Sequence, residues 1–480
     1  MTSSNRDNIG SQVRRLAHNA VALAFGGITA QFAFTLLEIL IARQLGAEAY
    51  GTFVTAYAWT VLGAFLMEFG TPLYTIQQGS RDHSSLPQLL GSGLTVNLVM
   101  FSALYLLLIF VAVFLLQNPV LSFMLFLLPY GLVLTLQNEL ASVYSSYQTM
   151  HISALFQGLA PVAILVVYFV LSRDGLALSD VGIAYVTGGG IVAAAWFLVT
   201  VRKVRPTTSL GHIATTLRSS YQYGLTGILG QIYFKADIVM LSAMAGLREA
   251  GIYAAAYKLA DLVTKVAVLC SRVFAPALFK ASHETGKSFD VFSSMMVRCL
   301  ALVGLLAGVS SFLLAEDLIL LLFGENYLSS VPILQIMGGV MAARCMMVAL
   351  QLLLSSMELH FQRVSRLSVA VAVHIAANAV LIPLYGAPGA AIATLLSGAF
   401  LVLLYTVVAS RKRSFLFARW LLVPSGMAAL VAFGSHLLDV NAWAGAGISA
   451  TVLLASLFAT GFMRPDEVKF VYQSLITGRR

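Results

Sequence analysis

The sequence predicts an all-α polytopic membrane protein, and three observations support this fold class. Of the 480 residues, 59% are hydrophobic and only 10% are charged, whereas soluble domains average roughly 45 to 50% and 25%. The apolar runs are about 20 residues long, the length that a helix needs to cross a bilayer. They also lack the alternating pattern of a membrane barrel.

Apolar windows between polar breaks predict fourteen transmembrane helices. In chain order, the predicted spans are 17–42, 50–70, 92–116, 120–145, 152–172, 181–201, 221–244, 250–272, 293–315, 331–356, 364–383, 386–409, 416–437 and 443–463. The run after the polar and basic first sixteen residues has full length and no small-residue cleavage site, so it is interpreted as an uncleaved first span.

The distribution of basic residues predicts the orientation. An even number of spans places both termini on one side, and most of the 29 lysines and arginines lie there, whereas the opposite loops hold only Arg43, Arg173 and Arg248. The positive-inside rule then predicts cytoplasmic termini. Because such residues sit beside lipid headgroups, the net charge of +9 does not call for a nucleic-acid partner. No loop has room for a catalytic domain, so an enzyme is not expected.

The chain contains a weak internal repeat. Residues 27–57 align with residues 227–257 without a gap. The matching pairs include Gly27/Gly227, Gln31/Gln231, Gly46/Gly246, Gly51/Gly251 and Tyr57/Tyr257. Six predicted spans separate the two copies, so they run in the same direction, as in a parallel repeat around an axis along the membrane normal. This predicts two six-helix lobes around a central cavity, at 1–205 and 206–412, with helices 13 and 14 and a basic tail at 413–480.

Several basic residues fall inside predicted spans, where each charge costs about 2.5 to 3.5 kcal/mol even on the mildest scale. They are Lys235, Lys258, Lys265 and Arg344. Lys258, Asp261 and Lys265 are three and four residues apart, so they form a stripe along one face of the eighth span. Two lysines to one aspartate favour an anionic ligand, and the guanidinium of Arg344 suits a phosphate. The alternatives are a ladder among these charges and, for Arg344, hydrogen bonds to carbonyls at a kink.

The acidic residues inside the spans are candidates for ion coupling or for structural pairing. They are Asp237, Asp261, Glu38, Glu68 and Glu139. Asp237 lies two residues from Lys235, so the two side chains point about 200° apart on a helix and do not share one site. We favour Lys235 as the residue that faces the cavity and Asp237 as the residue that pairs with the eighth span. The lone His374 is expected to bond Asn378 rather than to titrate, and the three cysteines show no metal spacing.

Three segments resemble a known family. The segment FKADIVMLSAMAGLREAGIYAAAYKLAD (234–261) resembles the seventh and eighth helices of Wzx-type oligosaccharide and polysaccharide flippases, which belong to the multidrug/oligosaccharidyl-lipid/polysaccharide exporter superfamily. ARQLGAEAYGTFVTAY (42–57) is similar to the corner after their first helix, and LLFGENYLSSVPILQIM (321–337) is similar to the segment before their tenth. The resemblance covers the first twelve spans.

The resemblance implies a function. Such proteins move undecaprenyl-diphosphate-linked oligosaccharides from the cytoplasmic to the periplasmic leaflet of the bacterial inner membrane, within a cationic cavity between two lobes. The four buried cations would bind the diphosphate, and Gln31, Gln231, Tyr57 and Tyr257 are candidates for the glycan. No cofactor is expected, and proton coupling, sodium coupling and a polysaccharide polymerase partner are left open.

Two rivals come from the same superfamily. A cation-coupled multidrug exporter would need a cavity lined by carboxylates, and the surplus of buried lysine argues against it. A lipid II flippase is chemically close, but the first span carries no interior arginine of the kind expected there. A membrane-bound glycan polymerase or ligase would show a large periplasmic loop, which the sequence lacks.

Overall fold

A computed structural model describes residues 3–114, 119–172, 177–282 and 288–412, together with five positions between 443 and 451. The main regular elements in these ranges are twelve α-helices: α1 Ser3–Glu68, α2 Thr71–Gly79, α3 Leu86–Phe114, α4 Pro119–Ser146, α5 Met150–Leu171, α6 Leu178–Lys203, α7 Leu210–Met244, α8 Leu247–Ser282, α9 Ser288–Leu313, α10 Ala315–Leu322, α11 Val331–Ser356 and α12 His360–Lys412. Short 3-10 helices span His83–Ser85 and Glu325–Ser330.

The predicted fold class is confirmed. Each of the first twelve predicted spans lies within a helix to within two residues, but 17–42 and 50–70 share α1, and 364–383 and 386–409 share α12. Nine helices in the described ranges are long and apolar enough to cross a membrane. The spans predicted at 416–437 and 443–463 lie outside the described residues, apart from a few positions of the latter. The total of fourteen helices therefore stays a prediction.

Two of the helices contain a sharp kink at a glycine. Gly46 in α1 has φ 75° and ψ 173°, and Gly386 in α12 has φ 61° and ψ −134°. Residues with a side chain rarely adopt such a positive φ, whereas glycine adopts it without steric cost. The sequence divides each of these segments into two spans, and the structure shows that each division is a glycine kink rather than a loop.

Residues Met1–Gly251 form one compact unit. Within it, α1 packs against α4, α5, α3 and α7, and α6 packs against both α4 and α5. The centre of this packing is aromatic, because Tyr50, Phe53, Tyr130 and Tyr185 are all fully buried or nearly so. The predicted lobe boundary at residue 205 stays a prediction, and the packing of α7 places this helix within the N-terminal unit.

Residues Ile252–Arg480 form the second unit. Here α11 packs against α9 and α12. The backbones of α9 and α11 approach closely, since a Cβ on Gly308 would fall 2.5 Å from the carbonyl oxygen of Gly338, and one on Gly338 would fall 2.6 Å from that of Gly308. Small residues at such crossings are typical of helices that associate inside a membrane.

Local signals explain several helix ends. Proline lies in the first turn of α2 and of α11, where its missing N–H breaks no helical hydrogen bond. The Ser209 hydroxyl caps α7 by accepting a hydrogen bond from the backbone N–H of His212 at 3.4 Å. Arg202 and Lys203 occupy the last turn of α6, where positive charge complements the helix dipole.

Candidate functional site

Lys235 lies beside Tyr57 in the N-terminal unit. The Nζ of Lys235 on α7 is 5.9 Å from the centroid of the Tyr57 ring on α1. This distance is at the outer limit of a cation–π contact, which is attractive because the face of the ring is negative. Lys235 is half-buried, so its charge is partly withdrawn from solvent and keeps an accessible side.

Other aromatic side chains hold the Tyr57 ring in place. The centroids of Phe53, Tyr130 and Tyr185 lie 5.9, 6.4 and 6.0 Å from that of Tyr57. Tyr130 and Tyr185 themselves meet edge to face at 5.1 Å. Such pairs favour tilted geometries and resist rotation, so the position of Tyr57 is set by packing from α1, α4 and α6.

Arg344 lies on Tyr257 in the C-terminal unit. Its Nη2 on α11 donates a hydrogen bond of 2.7 Å to the hydroxyl of Tyr257 on α8, and its Cζ lies 4.4 Å from the centroid of the same ring. Arg344 is only 4% exposed and Tyr257 only 6%. The guanidinium is therefore buried and held against the Tyr257 ring.

The surroundings of this pair are polar as well as aromatic. The ring of Tyr253 lies 5.7 Å from that of Tyr257, and the Tyr253 hydroxyl shares a hydrogen bond of 3.1 Å with the Thr394 hydroxyl. The Asp261 carboxylate, one turn after Tyr257, acts electrostatically on the Arg344 guanidinium. The sequence offers no acidic residue within ten positions of Arg344, and the structure supplies this one from another helix.

The three charges of the α8 stripe differ in exposure. Lys258 is buried, Asp261 is half-buried and Lys265 is exposed. All three lie in one unbroken helix, so their spacing of three and four residues aligns them along one face. The stripe therefore passes from a buried cation at Lys258 to an accessible one at Lys265.

The two tyrosines that meet these cations occupy equivalent positions of the internal repeat. Tyr57 and Tyr257 are 200 positions apart and belong to the aligned segments 27–57 and 227–257. In the N-terminal unit the tyrosine meets Lys235, and in the C-terminal unit it meets Arg344. Each unit thus builds a tyrosine and cation pair from the same position of the repeat.

Asp237 has surroundings different from those of Lys235. It is fully buried, and its Oδ1 accepts a hydrogen bond of 2.8 Å from the backbone N–H of Ile238. The Asp237 carboxylate therefore makes one of its hydrogen bonds within its own helix. Its predicted pairing with the eighth span stays a prediction.

Two further predicted residues of α1 and one of α7 are half-buried. Gln31 donates a hydrogen bond of 3.4 Å to the Thr35 hydroxyl, one turn further along α1. Glu38 and Gln231 are also half-buried. The Glu38 carboxylate acts electrostatically on Tyr130 and Tyr185, the two rings that pack against Tyr57.

Glu68 and Glu139 come together in one buried cluster, which the sequence does not show. Glu68 accepts a hydrogen bond of 2.5 Å from Asn138 Nδ2, and Glu139 contacts the Thr71 hydroxyl. Asn138 immediately precedes Glu139 in α4, while Glu68 and Thr71 flank the break between α1 and α2. The polar partners Thr71 and Asn138 carry no local sequence signal, because hydroxyl and amide side chains are common in membrane helices.

The predicted bond between His374 and Asn378 is present. Asn378 Nδ2 donates a hydrogen bond of 2.8 Å to the backbone oxygen of His374. The structure adds a partner that the sequence does not reveal, since His374 Nδ1 lies 2.8 Å from the Ser397 hydroxyl. Within the described residues, no group of three or more His, Cys, Asp or Glu side chains could hold a metal ion.

Comparison with known families decides where the chain belongs. A sequence model described as polysaccharide biosynthesis protein matches residues 16–282, from within α1 to the end of α8. The chain belongs to the polysaccharide biosynthesis protein family. The matched segment contains Tyr57, Lys235, Tyr257 and Lys258. No curated protein matches this family member significantly in sequence.

Solved structures show which fold this polysaccharide biosynthesis protein shares. The inward closed conformation of the lipid II flippase MurJ is 14% identical, with a TM-score of 0.71 over 93% of this chain and 100% of that chain. An inward-facing multidrug resistance MATE family transporter of the MOP superfamily is 13% identical, with a TM-score of 0.62 over 82% and 100%.

A third similar structure is a MOP superfamily transporter from Pyrococcus furiosus. It is described as having a binding pocket of reverse polarity, suggesting a different function, and it is 13% identical with a TM-score of 0.61 over 83% of this chain and 97% of that one. At these identities the likeness shows the fold alone. The polysaccharide biosynthesis protein thus has the fold shared by these flippases and transporters.

Proposed function

We propose that this protein is a flippase that moves polyprenyl-diphosphate-linked oligosaccharide repeat units from the cytoplasmic to the periplasmic leaflet of the bacterial inner membrane. The observation that carries the proposal is a pair of cations inside predicted spans, the half-buried Lys235 and the buried Arg344, each set against a tyrosine from the same position of the repeat. Membership of the polysaccharide biosynthesis family supports a glycan substrate.

The chemistry of the headgroup explains why cations are retained inside the membrane. A diphosphate carries negative charge that must cross a region of low dielectric constant, where Coulomb attraction to a fixed cation is far stronger than in water. Arg344 offers a planar fork of donors that matches two phosphate oxygens at once. The polyprenyl chain needs no such help, because it stays in the hydrocarbon layer throughout.

Each predicted site residue has a role in this proposal. The buried side chains Lys258 and Arg344 and the half-buried Lys235 lower the barrier for the diphosphate, and the exposed Lys265 attracts it first. Tyr57 offers its ring and hydroxyl to the sugars, Tyr257 contributes its ring while its hydroxyl accepts from Arg344, and Gln31 and Gln231 offer amides. Alternating access by the two lobes, cytoplasmic termini and a neighbouring polysaccharide polymerase complete the proposal.

The multidrug exporter is the second candidate, and the shared MATE fold is the observation that favours it. A transporter for cationic drugs gains nothing from Lys235, Lys258 and Arg344 inside the membrane, because like charges repel. A lipid II flippase handles the same diphosphate chemistry and differs in its glycan. The buried cations therefore favour a diphosphate lipid over a drug, and the family favours a polysaccharide precursor.

Deletion of the gene followed by an assay of lipid sidedness tests the proposal. We expect lipid-linked oligosaccharides to accumulate in the cytoplasmic leaflet of the deletion strain, with plasmid-borne protein restoring their arrival on the periplasmic side. Normal sidedness together with increased drug sensitivity would assign the protein to the exporters. Accumulation of lipid II alone would assign it to the lipid II flippases.

A further inference from the structure

Glu68 and Thr71 lie on either side of the break between α1 and α2. Glu68 is the last residue of α1, and the next two residues, Phe69 and Gly70, have positive φ values of 48° and 80°. This turn brings the Thr71 hydroxyl 2.8 Å from the backbone oxygen of Glu68. The same hydroxyl also contacts Oε1 of Glu139 on α4.

A hydroxyl group has a single proton, and this limits how both contacts of Thr71 are made. The hydroxyl donates either to the Glu68 carbonyl or to Glu139 Oε1, so it serves only one of these two acceptors at a time. Glu139 therefore receives at most one hydrogen bond from Thr71.

The surroundings of the other oxygen of Glu139 favour a protonated carboxyl. Glu139 is 0% exposed, and its Oε2 has no hydrogen-bond partner within the described residues. The backbone of α3 closes the space over it, because a Cβ on Gly93 would fall 2.7 Å from Cδ and from both carboxyl oxygens. A buried carboxylate oxygen without a donor is costly, whereas the neutral acid is tolerated.

The nearest acidic neighbour is Glu68, which is 6% exposed. Asn138 donates to its Oε1 at 2.5 Å, and the Glu68 carboxyl acts electrostatically on the Glu139 carboxyl. No lysine, arginine or histidine in those ranges bonds either carboxyl. Two neighbouring carboxyls without a cation cannot both be ionised at low cost.

The helices packed around the pair carry few titratable groups on this side, and each is occupied elsewhere. Tyr223 of α7 donates a hydrogen bond of 2.7 Å to Gln77 on α2. The His83 ring of the 3-10 helix stacks on Tyr147 and lies 3.2 Å from the Ser146 oxygen. Lys203 of α6 sits 4.0 Å from the centroid of the Tyr147 ring.

A cavity borders the Glu68 side of the pair. Its volume is about 330 Å³, and it lies within the N-terminal unit between α1, α2, α4 and α7. Glu68, Asn138, Ser142 and Tyr223 are among the residues that line it. Glu68 therefore faces the cavity, and Glu139 lies behind it.

We propose that Glu68 and Glu139 form one proton-binding site, in which Glu139 holds the proton and Glu68 is the member that exchanges it with the cavity. Loss of the proton leaves two carboxylates facing each other at the α1–α2 break, and their repulsion favours a different arrangement of that break. The role of this step in driving transport rests on the proposed flippase function. The binding of a proton by Glu68 and Glu139 does not depend on that function.

A hydrophobic carbodiimide tests the site directly, because it modifies protonated carboxyls in apolar surroundings. The purified full chain is treated with dicyclohexylcarbodiimide between about pH 6 and about pH 9, and modified peptides are quantified by mass spectrometry. We expect labelling of Glu139 or Glu68 that falls about tenfold per pH unit above the midpoint of the pair. Glu139→Gln abolishes the label at position 139, whereas Glu48→Gln, at an exposed carboxyl of α1, leaves it unchanged.

Two results would overturn the proposal. The first is labelling of Glu68 and Glu139 no faster than that of Glu48 at every pH. The second is protection at constant pH when sodium chloride replaces choline chloride, which would make the pair a sodium site. Because both results come from the wild-type chain, they do not depend on whether Glu139→Gln folds.

Reconstituted transport separates this inference from the proposed function. If the pair is labelled as expected but lipid-linked oligosaccharide does not cross the vesicle membrane, the flippase function is wrong and the proton site stands. If the substrate crosses at a rate that is independent of pH and unchanged in Glu68→Gln and Glu139→Gln, the coupling role is wrong and the flippase function stands.

Discussion

Gly51 of α1 and Gly251 of α8 cross in a reciprocal contact. A Cβ on Gly51 would fall 1.8 Å from the carbonyl oxygen of Leu247, and a Cβ on Gly251 would fall 1.8 Å from that of Ala47. Ala47 and Leu247 are also 200 positions apart. The two contacts, which lie within the N-terminal unit, are therefore reciprocal and use the same two positions of the repeat.

The crossing predicts a strong effect of added side chains. Gly51→Ala and Gly251→Ala each force a methyl group into a backbone carbonyl, and overpacking of this kind costs about 1 to 3 kcal/mol or more. We expect lower melting temperatures for both variants in detergent. The control is Gly190→Ala in α6, where nothing lies within 4 Å of the added Cβ. Equal melting of all three variants would contradict the close approach.

Arg344 predicts a graded loss of transport. Arg344→Lys keeps the charge but loses bidentate hydrogen bonding to phosphate, so we expect transport of a diphosphate-linked lipid to fall about tenfold. Arg344→Ala removes the charge as well, and its loss is larger. The measurement is the initial rate in proteoliposomes with matched protein content. Arg248→Ala, at an exposed arginine, is the control, and a loss in Arg248→Ala equal to that in Arg344→Ala would refute the specific role.

The lysines of the proposed path differ in their sensitivity to salt. Lys265 is exposed and Lys258 is buried, and salt screens exposed charges far more than buried ones. We expect the loss of transport in Lys265→Ala to shrink when ionic strength rises, whereas the loss in Lys258→Ala persists. Transport rates at low and high salt measure this difference. Parallel behaviour of the two variants would mean that Lys265 and Lys258 share one environment.

The contact between Gly93 and Glu139 predicts a measurable coupling. Gly93→Ala alone pushes a methyl group against the carboxyl, whereas in Gly93→Ala/Glu139→Ala the space is free. The double variant should therefore be more stable than the sum of the single effects by about 0.5 to 3 kcal/mol. Unfolding free energies of the four proteins give this value. Additivity to within about 0.5 kcal/mol would show that the two residues do not touch.

Apolar length was enough to predict most of the helices, and the reason is physical. A span must be long and apolar to cross the bilayer, and this leaves a strong signal in segments such as α3 and α11. The short helices α2 and α10 carry no such signal, because they need not span. Gly46 lies in a predicted break and Gly386 is the first residue of the span that follows another, but only the structure shows a kink at each.

The charged residues of the candidate site could be predicted from the sequence, but the residues that they contact could not. Buried charges such as Arg344 stand out in an apolar sequence, since each is costly. The partners do not stand out: Tyr257 is 87 positions from Arg344, and Glu139 is 68 positions from Thr71. Contacts across such separations depend on helix packing, which hydropathy does not encode. The repeat supplied one clue, because it relates Tyr57 to Tyr257.

The most direct test compares two lipids in vesicles that contain the purified protein. One is a polyprenyl-diphosphate oligosaccharide, and the other carries the same glycan and chain without phosphate. We predict that the wild type moves the diphosphate lipid much faster than the uncharged lipid, and that Arg344→Ala removes this preference. Equal rates for the two lipids in the wild type would contradict the claim that the buried cations serve a phosphorylated headgroup.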